Sequence, residues 1–138
     1  MRYEAPTTTR DAVTLLSRAK GNAFVLAGGS DLLVRMKGGF IEPELVVDIK
    51  RIPAMQAIKQ TATGFRIGAA VPCAAMGEHS ALTKAWPGVV EAANLIGSDQ
   101  IQSRCTVAGN LCNASPAADS VPALFTARAR AVVVGPKG

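Results

Sequence analysis

The order of hydrophobic and polar residues at the start of the chain predicts a helix. Apolar residues recur at helical spacing over positions 12–19, and Thr8 or Thr9 before them can cap the first turn. We expect this helix to stop near Lys20 and Gly21, because basic residues favour the last turn of a helix and glycine the position after it.

Two short runs of consecutive apolar residues, 24–27 and 45–49, predict buried strands. A glycine-containing segment that begins at Gly28 separates them. The order of helix, strand, glycine loop and strand is typical of a small α/β unit in which the two strands pair in parallel.

The pattern changes near Pro53, where we place a domain boundary. Residues 55–59 and 65–69 flank a Thr/Gly turn, and the alternation of apolar and polar side chains predicts a β-hairpin. We therefore assign residues 1–54 to an N-terminal α/β subdomain and residues 55–138 to the first part of a second, α+β subdomain.

Helical patterns dominate the rest of the chain. Apolar residues at helical spacing follow Pro72 and Pro87, and Ser120 can cap a final helix whose first turn tolerates Pro122. Residues 131–134 predict a last strand, and a turn follows it. Because a strand and a turn predict a further strand, we expect these residues to be the front part of a longer subunit.

Composition and charge narrow the possible functions. Of the 138 residues, 49% are hydrophobic, which is enough for a core and argues against global disorder. The net charge is +5, but the basic residues are scattered and do not interleave with aromatic residues, so we predict no nucleic-acid site. The sequence has neither a membrane span nor a signal-peptide pattern, and we expect a soluble, cytoplasmic protein.

The few metal-ligating residues lack the spacing of a metal site. Cys73, Cys105 and Cys112 form no CxxC pair, and His79 is the single histidine, so we predict free thiols and no metal site. We expect Cys112 to be buried as a small hydrophobe, His79 to be structural, and Trp86 to be a packing residue.

A first glycine-containing segment, Leu26–Leu32, carries candidate chemistry. Gly28 and Gly29 follow a buried strand, and glycine allows the backbone to come close to a ligand. Consecutive free N–H groups form a concave anion site that suits a diphosphate. The GxGxxG and GxxxxGK[ST] fingerprints are absent, which argues against a Rossmann or P-loop site. A plain tight turn is the alternative.

The second candidate segment is predicted to be a loop over residues 105–119. It concentrates short hydrogen-bonding side chains around one glycine, as a polyhydroxylated, phosphorylated ligand requires. Asp119 can accept hydrogen bonds from ribose or ribityl hydroxyls, or cap the helix that follows it.

Together these segments resemble the FAD-binding (medium, flavoprotein) subunits of molybdenum hydroxylases, the family of xanthine dehydrogenase and carbon monoxide dehydrogenase. The motifs are AGGSDLL at residues 27–33 and TVAGNLCNASPAADSVPAL at residues 106–124, in the family's order and spacing. The resemblance implies an α+β fold of two subdomains, of the xanthine dehydrogenase and vanillyl-alcohol oxidase type, with FAD between them. This is not a Rossmann fold, and its second subdomain is expected to be truncated here.

Site residues are carried over by position. The resemblance implies that the first segment wraps the FAD diphosphate, that a second wall begins at Thr106, and that Asp119 meets cofactor hydroxyls. One departure is Ala108, where the family has glycine, so Ala108 is expected to have an αR or β backbone conformation, or else this wall of the site shifts slightly. The implied FAD contacts are Leu26, Ala27, Gly28, Gly29, Ser30, Asp31, Leu32, Ile96, Gly97, Thr106, Val107, Ala108, Gly109, Asn110 and Asp119.

The resemblance also implies an electron-transfer role. A molybdopterin subunit hydroxylates the substrate, and an iron–sulfur subunit passes electrons to FAD on this subunit, which a terminal acceptor reoxidises. The cofactor performs the redox chemistry, so we predict no catalytic residue in this chain. Two alternatives remain open: a stand-alone flavin oxidoreductase of a related FAD fold, and a basic, non-enzymatic binding module in which the glycines only form turns.

Overall fold

The structure is a computed structural model that describes residues 1–19 and 21–138. Lys20, where the sequence predicts the end of the first helix, lies outside the described residues. Two single-turn 3-10 helices, Ile49–Arg51 and Pro53–Met55, lie between β3 and β4. The strands and α-helices are β1 (Arg2–Glu4), α1 (Thr9–Arg18), β2 (Ala23–Leu26), α2 (Leu32–Lys37), β3 (Leu45–Asp48), β4 (Ile58–Thr61), β5 (Gly64–Ile67), α3 (Cys73–Glu78), α4 (Ser80–Ala85), α5 (Pro87–Asn94), α6 (Asp99–Gln102), α7 (Val107–Asn113) and α8 (Ser120–Thr126).

The first sheet has three parallel strands in the order β1–β3–β2. Its central strand, β3, is buried at every position, and Leu45 pairs with Arg2 on one side and with Ala23 on the other. The predicted parallel pairing of the strands within 24–27 and 45–49 is confirmed. The pattern does not predict β1, because three mostly polar residues form no apolar run.

Helix α1 covers this sheet and has the predicted cap. The hydroxyl of Thr8 accepts a hydrogen bond from the backbone N–H of Asp11 at 3.1 Å, which satisfies one of the free donors at the helix start. Ala12 is buried on the inner face of the helix and belongs to the same cluster as Leu45 and Val47. The predicted helix is therefore confirmed.

A two-stranded antiparallel sheet follows, in which Ile58 of β4 pairs with Ile67 of β5. The predicted hairpin is thus confirmed. Helices α3, α4 and α5 occupy the region with helical periodicity and surround a second buried cluster, in which Met76 and Leu82 are the largest side chains. Helices, a parallel sheet and a separate hairpin form an α+β fold, as predicted. The division into subdomains 1–54 and 55–138 stays a prediction.

The segment predicted to be a loop over 105–119 contains helix α7, so the prediction is wrong over 107–113. The hydroxyl of Thr106 caps this helix by accepting a hydrogen bond from the N–H of Gly109 at 2.9 Å. This cap offsets the low helix propensity of the glycine and asparagine residues that suggested a loop. The helix ends at Ala114, whose φ of 53° is left-handed.

Helix α8 begins at Ser120, so the capping position is Asp119 and the predicted cap at Ser120 is wrong. Pro122 lies in the first turn, as predicted. Ser120 is only 1% exposed, and its hydroxyl donates to Oδ1 of Asn110 at 2.6 Å. Its role is therefore to join α8 to α7.

Residues 131–134, predicted to be a strand, are not in a strand in the described structure. Their side chains are exposed, and Val133 has 84% of its surface accessible. An extended segment forms a ladder only beside another strand that exchanges backbone hydrogen bonds with it. Consecutive valines alone therefore give a false strand signal here.

Candidate functional site

The first candidate segment is a strand–loop–helix connection. Strand β2 ends at the buried Leu26, and α2 begins at Leu32. In the part of the chain that the structure describes, none of the backbone N–H groups from Gly28 to Leu32 donates a hydrogen bond. The carbonyl of Gly29 accepts from the N–H of Leu33 at 3.0 Å, as the start of a helix requires. The loop thus presents a run of uncommitted donors, which fits the predicted anion site.

Glycine at position 28 allows the second segment to approach the first. A Cβ atom there would lie 2.2 Å from the carbonyl oxygen of Arg104 and 2.9 Å from Cα of Cys105. The approaching group is therefore protein backbone, whereas the sequence suggested a ligand. At Gly29 the requirement differs, because its φ of +83° is left-handed and the nearest atoms belong to flexible leucine side chains.

A second contact joins the two segments across the site. The side-chain amide of Asn113, at the end of α7, donates to Oδ1 of Asp31 at 3.1 Å. The hydroxyl of Ser30 lies 3.5 Å from the other carboxylate oxygen of Asp31, at the limit of a hydrogen bond. Asp31 occupies the capping position of α2 but makes no side-chain capping bond. Its carboxylate therefore links the loop before α2 to helix α7 instead of capping α2.

The start of α7 supplies the predicted second wall. Thr106 engages two N–H groups, with its hydroxyl accepting from Gly109 and its carbonyl from Asn110, each at 2.9 Å. Among the described residues, the N–H groups of Val107 and Ala108 donate no hydrogen bond. Ala108 lies within the helix and so has the αR conformation, one of the two that were expected. Helix α7 thus begins with free donors beside the Arg104 backbone that contacts Gly28.

Asn110 and Asp119 have separate roles in the structure. Oδ1 of Asn110 accepts from both the N–H and the hydroxyl of Ser120, at 3.3 and 2.6 Å, which leaves its Nδ2 as a donor. Asp119 is exposed, and its carboxylate makes no capping bond to α8. The capping alternative for Asp119 therefore has no hydrogen bond to support it.

The remaining predicted contacts are Ile96 and Gly97, which precede α6. Ile96 is half-buried against the second core cluster, and its carbonyl oxygen lies 4.0 Å from the thiol of Cys105, a weak contact. Gly97 is exposed beside it. Cys105 comes directly after Arg104, whose carbonyl faces Gly28. Cys105 therefore connects Ile96 and Gly97 to the two candidate segments. The structure thus brings residues 26–32 into direct contact with residues 104–113. Ile96 is connected to the same residues through its contact with Cys105.

Sequence reasoning missed Lys50. Its ammonium donates to the carbonyl oxygen of Ala27 at 3.1 Å and forms an ion pair with Asp48 at 2.9 Å. The phenol of Tyr3 donates to the other oxygen of Asp48 at 2.6 Å. The available signal was Asp48 itself, since a charge at the end of a buried strand needs partners.

Charge and burial oppose each other at Asp48. Burial raises the pKa of this carboxyl, but hydrogen bonds from Tyr3 and from the backbone and ammonium of Lys50 outweigh burial and hold its pKa below the ordinary value. The bond to Asp48 is the main cause that raises the pKa of the Tyr3 phenol. The aspartate is therefore a firmly ionised acceptor at the end of the sheet.

The thiols and the histidine are structural, with one exception to the prediction. Burial raises the pKa of Cys73 to about 12 and also raises the pKa of Cys105, so neither forms a reactive thiolate. Cys112 is exposed, and its predicted burial is wrong because α7 turns it towards solvent. Nδ1 of His79 accepts from the N–H of Leu82 at 3.1 Å, which confirms a structural histidine.

Two further results come from the described residues. They contain no cluster of three or more histidine, cysteine, aspartate or glutamate residues that could hold a metal ion. None of their helices is long and apolar enough to cross a membrane.

Relatives of known function match the whole chain. Residues 1–138 match the family described as the FAD binding domain in molybdopterin dehydrogenase. The carbon monoxide dehydrogenase medium chain of Hydrogenophaga pseudoflava is 33% identical over 136 residues, which are 99% of this chain and 47% of that protein. The xanthine dehydrogenase FAD-binding subunit of Escherichia coli O157:H7 is 30% identical over 137 residues, again 99% and 47%. The chain thus spans about half the length of these relatives.

Solved structures share the fold. The reconstituted CO dehydrogenase from Oligotropha carboxidovorans superposes with a TM-score of 0.83 at 32% identity, over 87% of this chain and 42% of that chain. Quinoline 2-oxidoreductase from Pseudomonas putida 86, at a TM-score of 0.78 and 23% identity over 83% of this chain and 40% of that chain, supports the fold alone. The structural matches confirm the predicted fold, and the family match together with the FAD-binding relative confirms the predicted cofactor, FAD. The chain belongs to the family of FAD-binding domains of molybdopterin dehydrogenases.

Proposed function

We propose that this chain is part of an FAD-binding electron-transfer subunit of a molybdenum-containing dehydrogenase or hydroxylase. The observation that carries the proposal is the run of uncommitted N–H groups from Gly28 to Leu32, which contacts the start of α7 through Arg104. When bound, FAD supplies the redox chemistry, and the protein supplies binding and orientation.

The first segment has the donors that a diphosphate requires. A diphosphate presents several anionic oxygens, and consecutive backbone N–H groups in a concave turn can bind them without any cationic side chain. The N–H groups from Gly28 to Leu32 make no hydrogen bond within the described chain, and Gly29 has a left-handed conformation. We therefore assign the diphosphate to this loop.

The second wall offers a smaller donor set than the sequence suggests. Thr106, Gly109 and Asn110 already make hydrogen bonds within the protein. The donors left for the cofactor are the N–H groups of Val107 and Ala108 and Nδ2 of Asn110. Thr106 acts by holding the start of α7 in place, since its hydroxyl and carbonyl fix the first turn.

The other proposed contacts are to the sugar and ring portions of FAD. Asp119 is exposed and carries an acceptor-only carboxylate, which suits a ribose or ribityl hydroxyl. Ile96 and Gly97 are proposed to lie near the flavin, in accordance with their positions in the family. No residue of this set needs to act as an acid, a base or a nucleophile.

The proposed partners are an iron–sulfur subunit and a molybdopterin subunit. Support comes from the names of the relatives, which include a medium chain of carbon monoxide dehydrogenase and a subunit of a 6-hydroxypseudooxynicotine dehydrogenase complex. In such a complex this chain would hold the FAD, which would supply the chemistry for accepting electrons from the iron–sulfur subunit.

Purification of the intact natural protein from its own host tests this proposal. We expect one FAD per chain by absorbance, and co-elution with iron and molybdenum by elemental analysis. FAD without either metal would instead indicate a stand-alone flavin oxidoreductase. A protein that binds no FAD in either the purified or the FAD-supplemented state would contradict the cofactor assignment itself.

A further inference from the structure

The three parallel strands end in a polar network that reaches the proposed diphosphate loop. Tyr3 of β1 donates to Asp48 at the end of β3, Asp48 pairs with Lys50, and Lys50 donates to the carbonyl of Ala27 just after β2. The network therefore joins all three strands near their C-terminal ends, and its last contact, at Ala27, lies one residue before Gly28.

We infer that Lys50 is a positioning residue for cofactor binding: it fixes the Ala27–Gly28 peptide so that the N–H of Gly28 is presented to a diphosphate. This inference rests on the proposed FAD site and adds to it a residue outside both sequence motifs.

Peptide geometry supplies the mechanism. The carbonyl of one residue and the N–H of the next point in opposite directions in a trans peptide, and the structure has no cis peptide among its described residues. Because Lys50 binds the carbonyl of Ala27, the N–H of Gly28 is directed away from Lys50. It donates to no group within the described chain. Lys50 thus orders a donor that remains free for a ligand.

The other side of the same peptide is also fixed. Cα of Gly28 packs so closely against the carbonyl of Arg104 that no Cβ fits between them. The peptide is therefore held between Lys50 and the backbone of the second segment. Removing Lys50 leaves one of these two constraints, and the plane of the peptide can then rotate.

Asp48 keeps the ammonium of Lys50 in place. Asp48 is only 6% exposed, and its carboxylate accepts from Tyr3, from the backbone N–H of Lys50 and from its ammonium. The side chain of Lys50 is 34% exposed, so it can be replaced without opening the core. This partial exposure makes the residue suitable for substitution.

The test is Lys50→Met in the intact natural protein, with FAD affinity measured by quenching of flavin fluorescence. Methionine keeps the apolar stem and removes the donor, and we expect the Kd for FAD to rise about tenfold. Lys50→Arg can still donate to the carbonyl and should restore affinity to within about threefold of wild type. Lys59→Met, on the exposed strand β4, removes the same charge elsewhere and should leave the Kd unchanged.

The outcomes separate this inference from the proposed function. Equal affinity in wild type and Lys50→Met, or equal losses in Lys50→Met and Lys59→Met, would overturn the positioning role while leaving FAD binding intact. A wild-type protein without FAD affinity would contradict the proposed function instead. Thermal melting of the cofactor-free proteins checks folding. If Lys50→Met does not fold, Lys50→Leu, which also lacks a side-chain donor, serves in the same comparison, and an unchanged Kd in that variant would equally overturn the inference.

Discussion

The side-chain amide of Asn113 donates a hydrogen bond to the carboxylate of Asp31 at 3.1 Å, across 82 positions of sequence. Asp31 lies in the loop that we assign to the diphosphate, and Asn113 is the last residue of α7. Together with the packing of Gly28 against Arg104, this contact holds the two motifs of the family side by side. The carboxylate also bears a negative charge near the proposed anion site, so pairing it with an amide donor is favourable for that site.

We predict that Asn113→Ala weakens FAD binding more than it weakens the fold. Both side chains are exposed, so loss of the bond should cost no more than about 1 kcal/mol of unfolding free energy. The unpaired carboxylate can then turn towards the diphosphate, and we expect the Kd for FAD to rise several-fold. Titration with FAD and thermal melting measure the two effects. Asp31→Asn in the Asn113→Ala background removes the charge and should recover affinity; no recovery would contradict the electrostatic explanation.

Substitutions of the two loop glycines are predicted to be harmful for different reasons. Gly28→Ala places a Cβ 2.2 Å from the Arg104 carbonyl, so the two segments must separate, and we expect loss of FAD together with a marked fall in melting temperature. In Gly29→Ala the new Cβ contacts only side chains. The left-handed φ at this position should lower the free energy of unfolding by about 1–2 kcal/mol. Gly88→Ala, which meets nothing within 4 Å, is the control. Similar stability for Gly28→Ala and Gly88→Ala would show that the close contact is not formed.

The sequence predicts the strand and the glycine loop at the start of the site, although not helix α2 after them, because the signal of a strand and a loop is local. An apolar run that stops at Gly28 and Gly29 indicates a buried strand and a tight connection whatever surrounds it. The role of Gly28 is not local. It depends on the backbone of Arg104, more than seventy positions away, and no single-sequence pattern encodes that distance.

The helix at the second wall shows how a cap can override propensity. Asparagine and glycine between residues 107 and 113 indicate a loop, yet the hydroxyl of Thr106 and the surrounding packing stabilise a helix. The false strand at 131–134 is the opposite case, because β-branched residues favour an extended chain only where a neighbouring strand completes the ladder. Lys50 carried no signal, since a lysine after a strand is usually a solvated residue.

The Tyr3–Asp48 hydrogen bond predicts a pH-dependent stability. The folded-state pKa of Asp48 lies below its ordinary value of 3.8, so its contribution is present above that value and is lost as the pH falls through the folded pKa. The folded-state pKa of Tyr3 lies above 10.0, so its contribution is present below that value and is lost as the pH rises through the folded pKa. Between these limits both groups support the sheet.

Tyr3→Phe tests this directly. Tyr3 is 55% exposed, so solvent screening reduces the worth of its bond to about 0.5–1 kcal/mol of unfolding free energy near neutral pH. We expect the difference from wild type to shrink as the pH falls below 3.8 and through the folded-state pKa of Asp48, where this carboxylate becomes protonated. Chemical unfolding followed by circular dichroism at several pH values measures it. A difference that is the same near neutral pH and after Asp48 has been protonated would contradict the assigned role of Asp48.

The carboxylate of Asp119 is predicted to bind the cofactor and not to cap α8. Because it makes no capping bond, Asp119→Ala should leave the melting temperature of the cofactor-free protein nearly unchanged, without the ~1 kcal/mol that loss of a cap costs. If Asp119 accepts from a cofactor hydroxyl, the same variant should lose about 1.5–3 kcal/mol of FAD binding. Asp99→Ala, an exposed aspartate in the first turn of α6, is the matched control and should change neither quantity.

Asp119→Asn refines this test, since asparagine occupies helix starts as well as aspartate does but lacks the charge. We expect this variant to keep the stability of the wild type and to bind FAD measurably more weakly, because a neutral acceptor forms weaker hydrogen bonds than an ionised one. Calorimetric titration with FAD gives the affinities of all three proteins. Wild-type affinity in Asp119→Asn, with a lower melting temperature in Asp119→Ala, would assign Asp119 to the structure of α8 and remove it from the proposed site.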